Sequence, residues 1–382
     1  MHYTTDTEQS LSQATGTTTV PLPYEKNQYK SPVNDQDVII IDRGGIIENK
    51  HQVHAAIVDA NNNLLFTIGN PHRTTLIRSA AKPFQSLAIF ETGAPDRYQF
   101  SDPDIALMCA SHNSEPHHIA RAQSMLRRTG AEEDALRCGG HPAISPAVNK
   151  TWIKQDYIPT GICNNCSGKH AGMIAGSICL DAPYHDYHEP SHPMQQRVKK
   201  VVEELSELDE KDVLWAIDGC NLPAPALPLR TLAMMFAKLA NARDGNVPGT
   251  RGEYLSRIFS SMAMYPDMVG GTGRFCTALM GAYEGAVVGK VGADGCYGVG
   301  IRGEGEGEGE GRRAMGIAVK IEDGNLDMLY AAVAEILEQL GVGTAEVRGQ
   351  LEGFRHPVLL NTAGVVTGKV THGFRLKSVG KM

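Results

Sequence analysis

Ser79 and Lys82 stand three residues apart in RSAAKPFQSL, with Pro83 directly after the lysine. Proline is tolerated in the first turn of a helix but not in its interior, so Pro83 predicts a helix that begins close to Ser79. Hydroxyl and amine then share one face at the positive end of the helix dipole. A desolvated amine so placed can take the alcohol's proton and turn it into a nucleophile. Ser378 and Lys381 repeat the spacing near the C-terminus, so the pattern alone is not specific. The apolar flank of Leu76, Ile77, Phe84 and Leu87 marks the first copy as built into a core.

Two further short patterns follow in order. Ser111-His112-Asn113 is a Ser-x-Asn set after the apolar stretch 105–110, and Lys290-Val291-Gly292 is a Lys-x-Gly set inside a strand-like run. Ser-x-x-Lys, then Ser-x-Asn, then Lys-x-Gly on a late strand is the arrangement of penicillin-recognising acyl-transfer enzymes. Taken singly, Ser111 reads more readily as a helix N-cap with Glu115 nearby, and Lys290 as an exposed strand charge, than as catalytic groups.

The thiols form a second constellation. Cys163-Asn-Asn-Cys166-Ser-Gly-Lys169 contains one Cys-x-x-Cys pair and no second, which does not support a four-cysteine zinc ribbon. Cys220 lies between an apolar strand-like run and a proline-rich turn, where it could join Cys166 and a neutral Lys169 or a histidine around zinc; the alternative is that these cysteines are buried small hydrophobes. SGKHAG lacks the spacing of a phosphate loop. His117 and His118 are adjacent and are expected on different faces of a helix, and His185, His188 and His192 are expected to be exposed in a loop.

Of 382 residues, 42% are hydrophobic, enough for one large core. Lys+Arg of 36 against Asp+Glu of 43 gives −7, which lacks the positive field that nucleic-acid binding requires. No apolar run spans a bilayer, and residues 1–20 lack the basic and apolar regions of a secretion signal. The expectation is a cytoplasmic protein with no nucleic-acid or membrane partner and with its eight cysteines reduced. Residues 1–35 read as a disordered polar tail and 36–382 as a single catalytic domain. Strands are predicted at 38–41, 53–58, 64–68, 286–291 and 314–321, and helices at 79–92, 103–129 in part, 167–180, 193–207, 228–242 and 325–340. The β-rich parts, about 36–75 and 280–382, enclose a mainly helical middle, about 76–279, so the predicted class is α/β (α+β): an antiparallel sheet from both chain ends with helices packed on it and a helical subdomain. GEGEGEGEG at 303–311 reads as a solvated hairpin loop.

RSAAKPFQSL, CASHNSEPHH, CGGHPA, NNCSGKHAGM, DGCNLPAPALPL and KVGADG together resemble the asparaginase II family of Rhizobium type, the thermolabile, zinc-containing L-asparaginases; RGGIIENKH is similar to that family's opening. The resemblance runs from about Asp42 to the C-terminus, with NNCSGKHAGM its most specific block. It implies a serine β-lactamase/glutaminase-like fold, hydrolysis of L-asparagine to L-aspartate and ammonia, and a homodimer. By position it implies catalytic Ser79, Lys82, Ser111 and Lys290, zinc ligands Cys166, Lys169 and Cys220, and Asp218 as an acidic group orienting those ligands. Zinc would then be structural or substrate-orienting. The chain departs from the family at Asn113-Ser114, near Cys276, where an acidic residue is expected, and in the GEGEGEGEG insertion.

The expected mechanism has Lys82 take the proton of Ser79, whose oxygen attacks the side-chain amide, while a backbone N–H at the helix start holds the oxyanion. Ser111 and Lys290 would relay a proton to the departing ammonia. Arg43, Arg274 and His112 are candidates for binding the substrate's α-carboxylate. The rival readings are an amidase or acyl transferase acting on glutamine, a β-lactam or a peptide-like metabolite, and a non-catalytic zinc-bound amino-acid sensor.

Overall fold

The computed structural model describes residues 36–303 and 313–380. The predicted tail at 1–35 and nearly all of the predicted 303–311 loop lie outside the described residues. Twelve strands are described: β1 Val38–Arg43, β2 Ile46–Asp59, β3 Leu64–Ile68, β4 Thr74–Leu76, β5 Leu214–Ile217, β6 Pro223–Pro228, β7 Val287–Gly292, β8 Cys296–Ile301, β9 Met315–Ile321, β10 Leu359–Leu360, β11 Val366–His372 and β12 Lys377–Ser378. Both chain ends contribute to one antiparallel sheet in the order β10-β11-β1-β2-β9-β8-β7, with β3 joined to β2 and β12. Every residue of β7, β8 and β9 is buried, so helices cover both faces of this half. The chain thus has a mixed α/β architecture with an antiparallel sheet and many helices, as composition and periodicity predict. A smaller sheet has the order β4-β6-β5. In it, PAPALP forms β6 where the sequence suggested a proline-rich turn. Its prolines are tolerated where no ladder N–H is required, as at Pro225, whose carbonyl accepts from the Ile77 N–H just past the end of β4.

The predicted helices form, with the 103–129 stretch divided into Asp102–Met108 and Pro116–Thr129. All nine residues of the helix Lys82–Phe90 are buried, which carries Lys82 into the interior. The helix Ser167–Cys179 brings Lys169 there by a different device. Gly168, Gly172 and Gly176 repeat every fourth residue along one face, and a Cβ on them would meet the Leu107 carbonyl at 2.5 Å, Met108 Sδ at 2.6 Å and Met194 Sδ at 2.7 Å. Only a smooth face lets this helix press so closely on its neighbours.

His192 corrects the expectation of an exposed loop histidine. It is buried, and its Nδ1 accepts from the Met194 N–H, capping the helix Pro193–Ser206.

Candidate active site

Ser79 lies in a single 3-10 turn, Arg78–Ala81, and the α-helix begins at Lys82, three residues after the predicted start at 79 and with Pro83 in its first turn. Arg78 has φ +49°, a left-handed conformation that costs a non-glycine residue energy and clusters at functional sites. Its guanidinium is held from two sides, by Asp218 at 2.5 Å and by Asp294 on the β7–β8 turn at 2.5 Å. β7 closes on this turn because its last residue is glycine: a Cβ at Gly292 would lie 2.3 Å from the Ile77 carbonyl.

Lys82 Nζ donates to Ser111 Oγ at 3.2 Å, to Cys166 Sγ at 3.1 Å and to the Ala110 carbonyl. Lys290 Nζ reaches the same Ser111 Oγ at 2.8 Å and the Val291 carbonyl at 2.8 Å. One hydroxyl is therefore gripped by two buried lysines from opposite ends of the sequence. Burial, reinforced by the like charge of Lys82, lowers Lys290 to about 7. Half-buried Ser79 has no hydrogen bond to either lysine among the described residues; the bonds of Lys82 go to Ser111, Cys166 and the Ala110 carbonyl. Nor is Ser111 a helix cap, since the N-cap of Pro116–Thr129 is Glu115.

The polar chain continues beyond Lys82. The Cys166 thiol donates to Asn165 Oδ1 at 3.2 Å, and Lys169 Nζ lies 3.2 Å from Cys220 Sγ. The neighbouring Cys166 thiol and the Lys169 charge hold Cys220 down at about 5 despite its burial, while the influence of Cys220 and burial push Cys166 up to about 12. Burial opposes the charge on Lys169, yet Cys220, Cys166 and Asp218 outweigh it and raise its pKa. Asp218 accepts from Arg78 and from the Gly219 N–H at 2.7 Å, with Oδ2 3.9 Å from Cys220 Sγ. Burial pushes its carboxyl up, but Lys169 and Arg78 prevail and leave it below the ordinary value. Two sulfurs and an amine nitrogen converge here, a donor set suited to a borderline-soft metal ion once the thiols and amine give up their protons.

Glu115, His117 and His118 are a second group that could hold a metal, with ligand atoms within 4.8 Å of one another. Adjacent histidines were expected to diverge, yet their rings lie 4.0 Å apart. His118 Nδ1 accepts from the Glu115 N–H at 3.2 Å and Nε2 meets the Asp267 carbonyl at 2.8 Å, so both its nitrogens are engaged within the protein.

The three candidate carboxylate binders separate. Arg274 donates to Asn113 Oδ1 at 3.1 Å and to the Ser111 carbonyl at 3.5 Å, placing it beside the serine. His112 is fully buried with both ring nitrogens bonded inside the protein. Arg43 pairs with Glu48 at 3.2 Å on β1, four strand positions from β7, roughly 19 Å at about 4.8 Å per strand. The sequence reading overlooked Arg78 and Asp294; the signal for the first was its place directly before Ser79.

Comparison with protein families places the chain among the amidohydrolases. The matching model is described as L-asparaginase II and spans residues 39–372, nearly the whole chain, and the chain belongs to that family. Comparison with the curated proteins returns no match. Among solved structures the chain is similar to one titled "Crystal structure of Mglu in its native form in the presence of 4.3M NaCl", at 14% identity and a TM-score of 0.41. That alignment covers 76% of this chain and 61% of the other, and so distant a likeness says nothing about activity.

Proposed function

We propose that the chain is an L-asparaginase that hydrolyses the side-chain amide of L-asparagine to L-aspartate and ammonia through an acyl-enzyme, in one catalytic domain over 36–382 with a serine β-lactamase-like arrangement. Family membership supports the reaction class. The observation that carries the mechanism is Ser111 Oγ bonded to both Lys82 and Lys290.

In this reading Ser79 Oγ attacks the amide carbon and its proton passes to Lys82, one turn along the chain. Ser111 connects Lys82 to Lys290, whose lowered pKa makes it the amine able to exchange a proton near neutrality. The proton moves on to the amide nitrogen, the C–N bond breaks and ammonia leaves. Water then attacks the ester and gives its proton to the same relay, releasing aspartate and restoring the serine. Arg274 is placed to meet the substrate's α-carboxylate. A second reading, in which Ser111 itself attacks, is favoured by its two lysine contacts.

Cys166, Lys169 and Cys220 would hold zinc, with Asp218 behind Cys220. Bound there, zinc would supply an electropositive point that orients the substrate's polar groups. The family resemblance further supports a homodimer. The sequence composition supports a cytoplasmic location, and no described helix is long and apolar enough to cross a membrane.

Ammonia release from L-asparagine and L-glutamine, together with the colour change on ring opening of a chromogenic cephalosporin, tests this reading. Turnover of asparagine above both others is expected. Turnover of the cephalosporin or glutamine alone would favour the rival amidase, and a thermal shift with asparagine but no product would favour the sensor.

A further inference from the structure

We propose that His112 is a positioning residue that rivets the Ser111 loop to the Cys166 loop and thereby holds Ser111 Oγ between its two lysines. Its catalytic consequence rests on the function proposed above.

The two loops are joined by a row of bonds. The His112 N–H donates to the Asn165 carbonyl at 3.2 Å, and Ser114 Oγ donates to the Cys163 carbonyl at 2.6 Å. The imidazole closes the row. Its Nδ1 accepts from the Ser114 N–H at 3.1 Å, so the ring proton of the neutral form sits on Nε2, which bonds Ser167 Oγ at 3.0 Å. Ser167 directly follows Cys166, the residue whose sulfur touches Lys82.

The far side of the ring is fixed too. It stacks on His118 with centroids 4.9 Å apart and planes 12° from parallel, and His118 is bonded to the Asp267 carbonyl. The Ser111 N–H donates to the Val269 carbonyl, so the same Asp267–Val269 segment braces both the serine and the ring stack. A ring with both nitrogens engaged and no exposed atom has none left for a substrate carboxylate, and burial holds it uncharged. This sets aside the carboxylate-binding role expected from sequence.

The experiment pairs kinetics with crystallography. Ser167→Ala removes the acceptor of Nε2. His112→Asn keeps an acceptor for the Ser114 N–H but cannot reach Ser167, while His112→Gln restores a donor toward Ser167. Ser167→Ala and His112→Asn are each expected to lower kcat about tenfold to a hundredfold with KM within about threefold, and the double variant to be no slower than the slower single, because both lose one shared bond. His112→Gln is expected to recover most of that loss. A raised KM at unchanged kcat would overturn the proposal in favour of substrate binding. A lowered melting temperature with unchanged kcat per folded molecule would overturn it in favour of a purely structural role.

Crystal structures of the parent and Ser167→Ala separate this inference from the proposed function. If the parent releases no ammonia from asparagine, the function falls, and the position of Ser111 decides the rivet. Ser111 Oγ leaving hydrogen-bond distance of Lys82 or Lys290 in the variant supports it, and an unmoved Ser111 overturns it.

Discussion

Lys290 Nζ lies 2.8 Å from Ser111 Oγ, which joins β7, the edge strand opposite β10, to the loop after the helix Asp102–Met108. The amine is buried, faces the like charge of Lys82, and has Arg274, Cys276 and Cys166 within electrostatic reach. A lysine in these surroundings exchanges its proton near neutrality.

The activity should therefore depend on pH through Lys290. kcat/KM is expected to rise with pH and level off above about 7 as the amine loses its proton. Stability moves in the same direction. An unfolded lysine holds its proton up to about 10.4, so between about pH 7 and about 10 the unfolded chain binds more protons and this residue's contribution to stability rises with pH. Melting temperatures of the parent and Lys290→Met across that window measure the effect. The difference between the two proteins should shift in favour of the parent as pH rises, and a constant difference would show that Lys290 carries no such shift.

Gly292 sets the distance between β7 and the Ser79 turn. Gly292→Ala would place a Cβ 2.3 Å from the Ile77 carbonyl, closer than real Cβ atoms come, so strand or turn must move. Overpacking of this kind typically costs about 1–3 kcal/mol. A lower melting temperature is expected together with a fall in kcat larger than that of a surface Gly353→Ala control, where a Cβ meets nothing within 4 Å.

The metal reading separates two donor groups. Cys166→Ser and Cys220→Ser are each expected to leave less than about a tenth of the parent's zinc after dialysis, whereas Glu115→Gln should leave it unchanged. Elemental analysis of the purified proteins checks this. Zinc loss in Glu115→Gln with retention in the cysteine variants would move the site to the histidine pair.

Much of this was legible in the sequence, for identifiable reasons. Apolar periodicity marked β1–β3, β7 and β9, and Pro83 marked the start of the buried helix within one turn. β8 was missed because its glycines look like turn signals. Gly298 is there for packing, since a Cβ would lie 2.0 Å from the Phe236 ring. The helix Gly249–Met264 was missed because its apolar residues are diluted by Ser, Arg and Glu. Spacing brought Ser79 and Lys82 to notice but not the partner of Lys82, because contact with Ser111 depends on a fold that joins positions 29 residues apart. The reach of Arg43 was equally invisible, since strand order alone separates β1 from β7.

The central claim, a serine made nucleophilic by the buried lysine relay, is tested most directly by intact-mass spectrometry of the acid-quenched enzyme during asparagine turnover. An aspartyl adduct is expected, mapped by proteolysis to Ser79, absent in Ser79→Ala and scarce in Lys82→Met, with ammonia release falling by about a thousandfold or more in both variants. Unimpaired ammonia release by Ser79→Ala together with Ser111→Ala, with no adduct on either serine, would contradict the account.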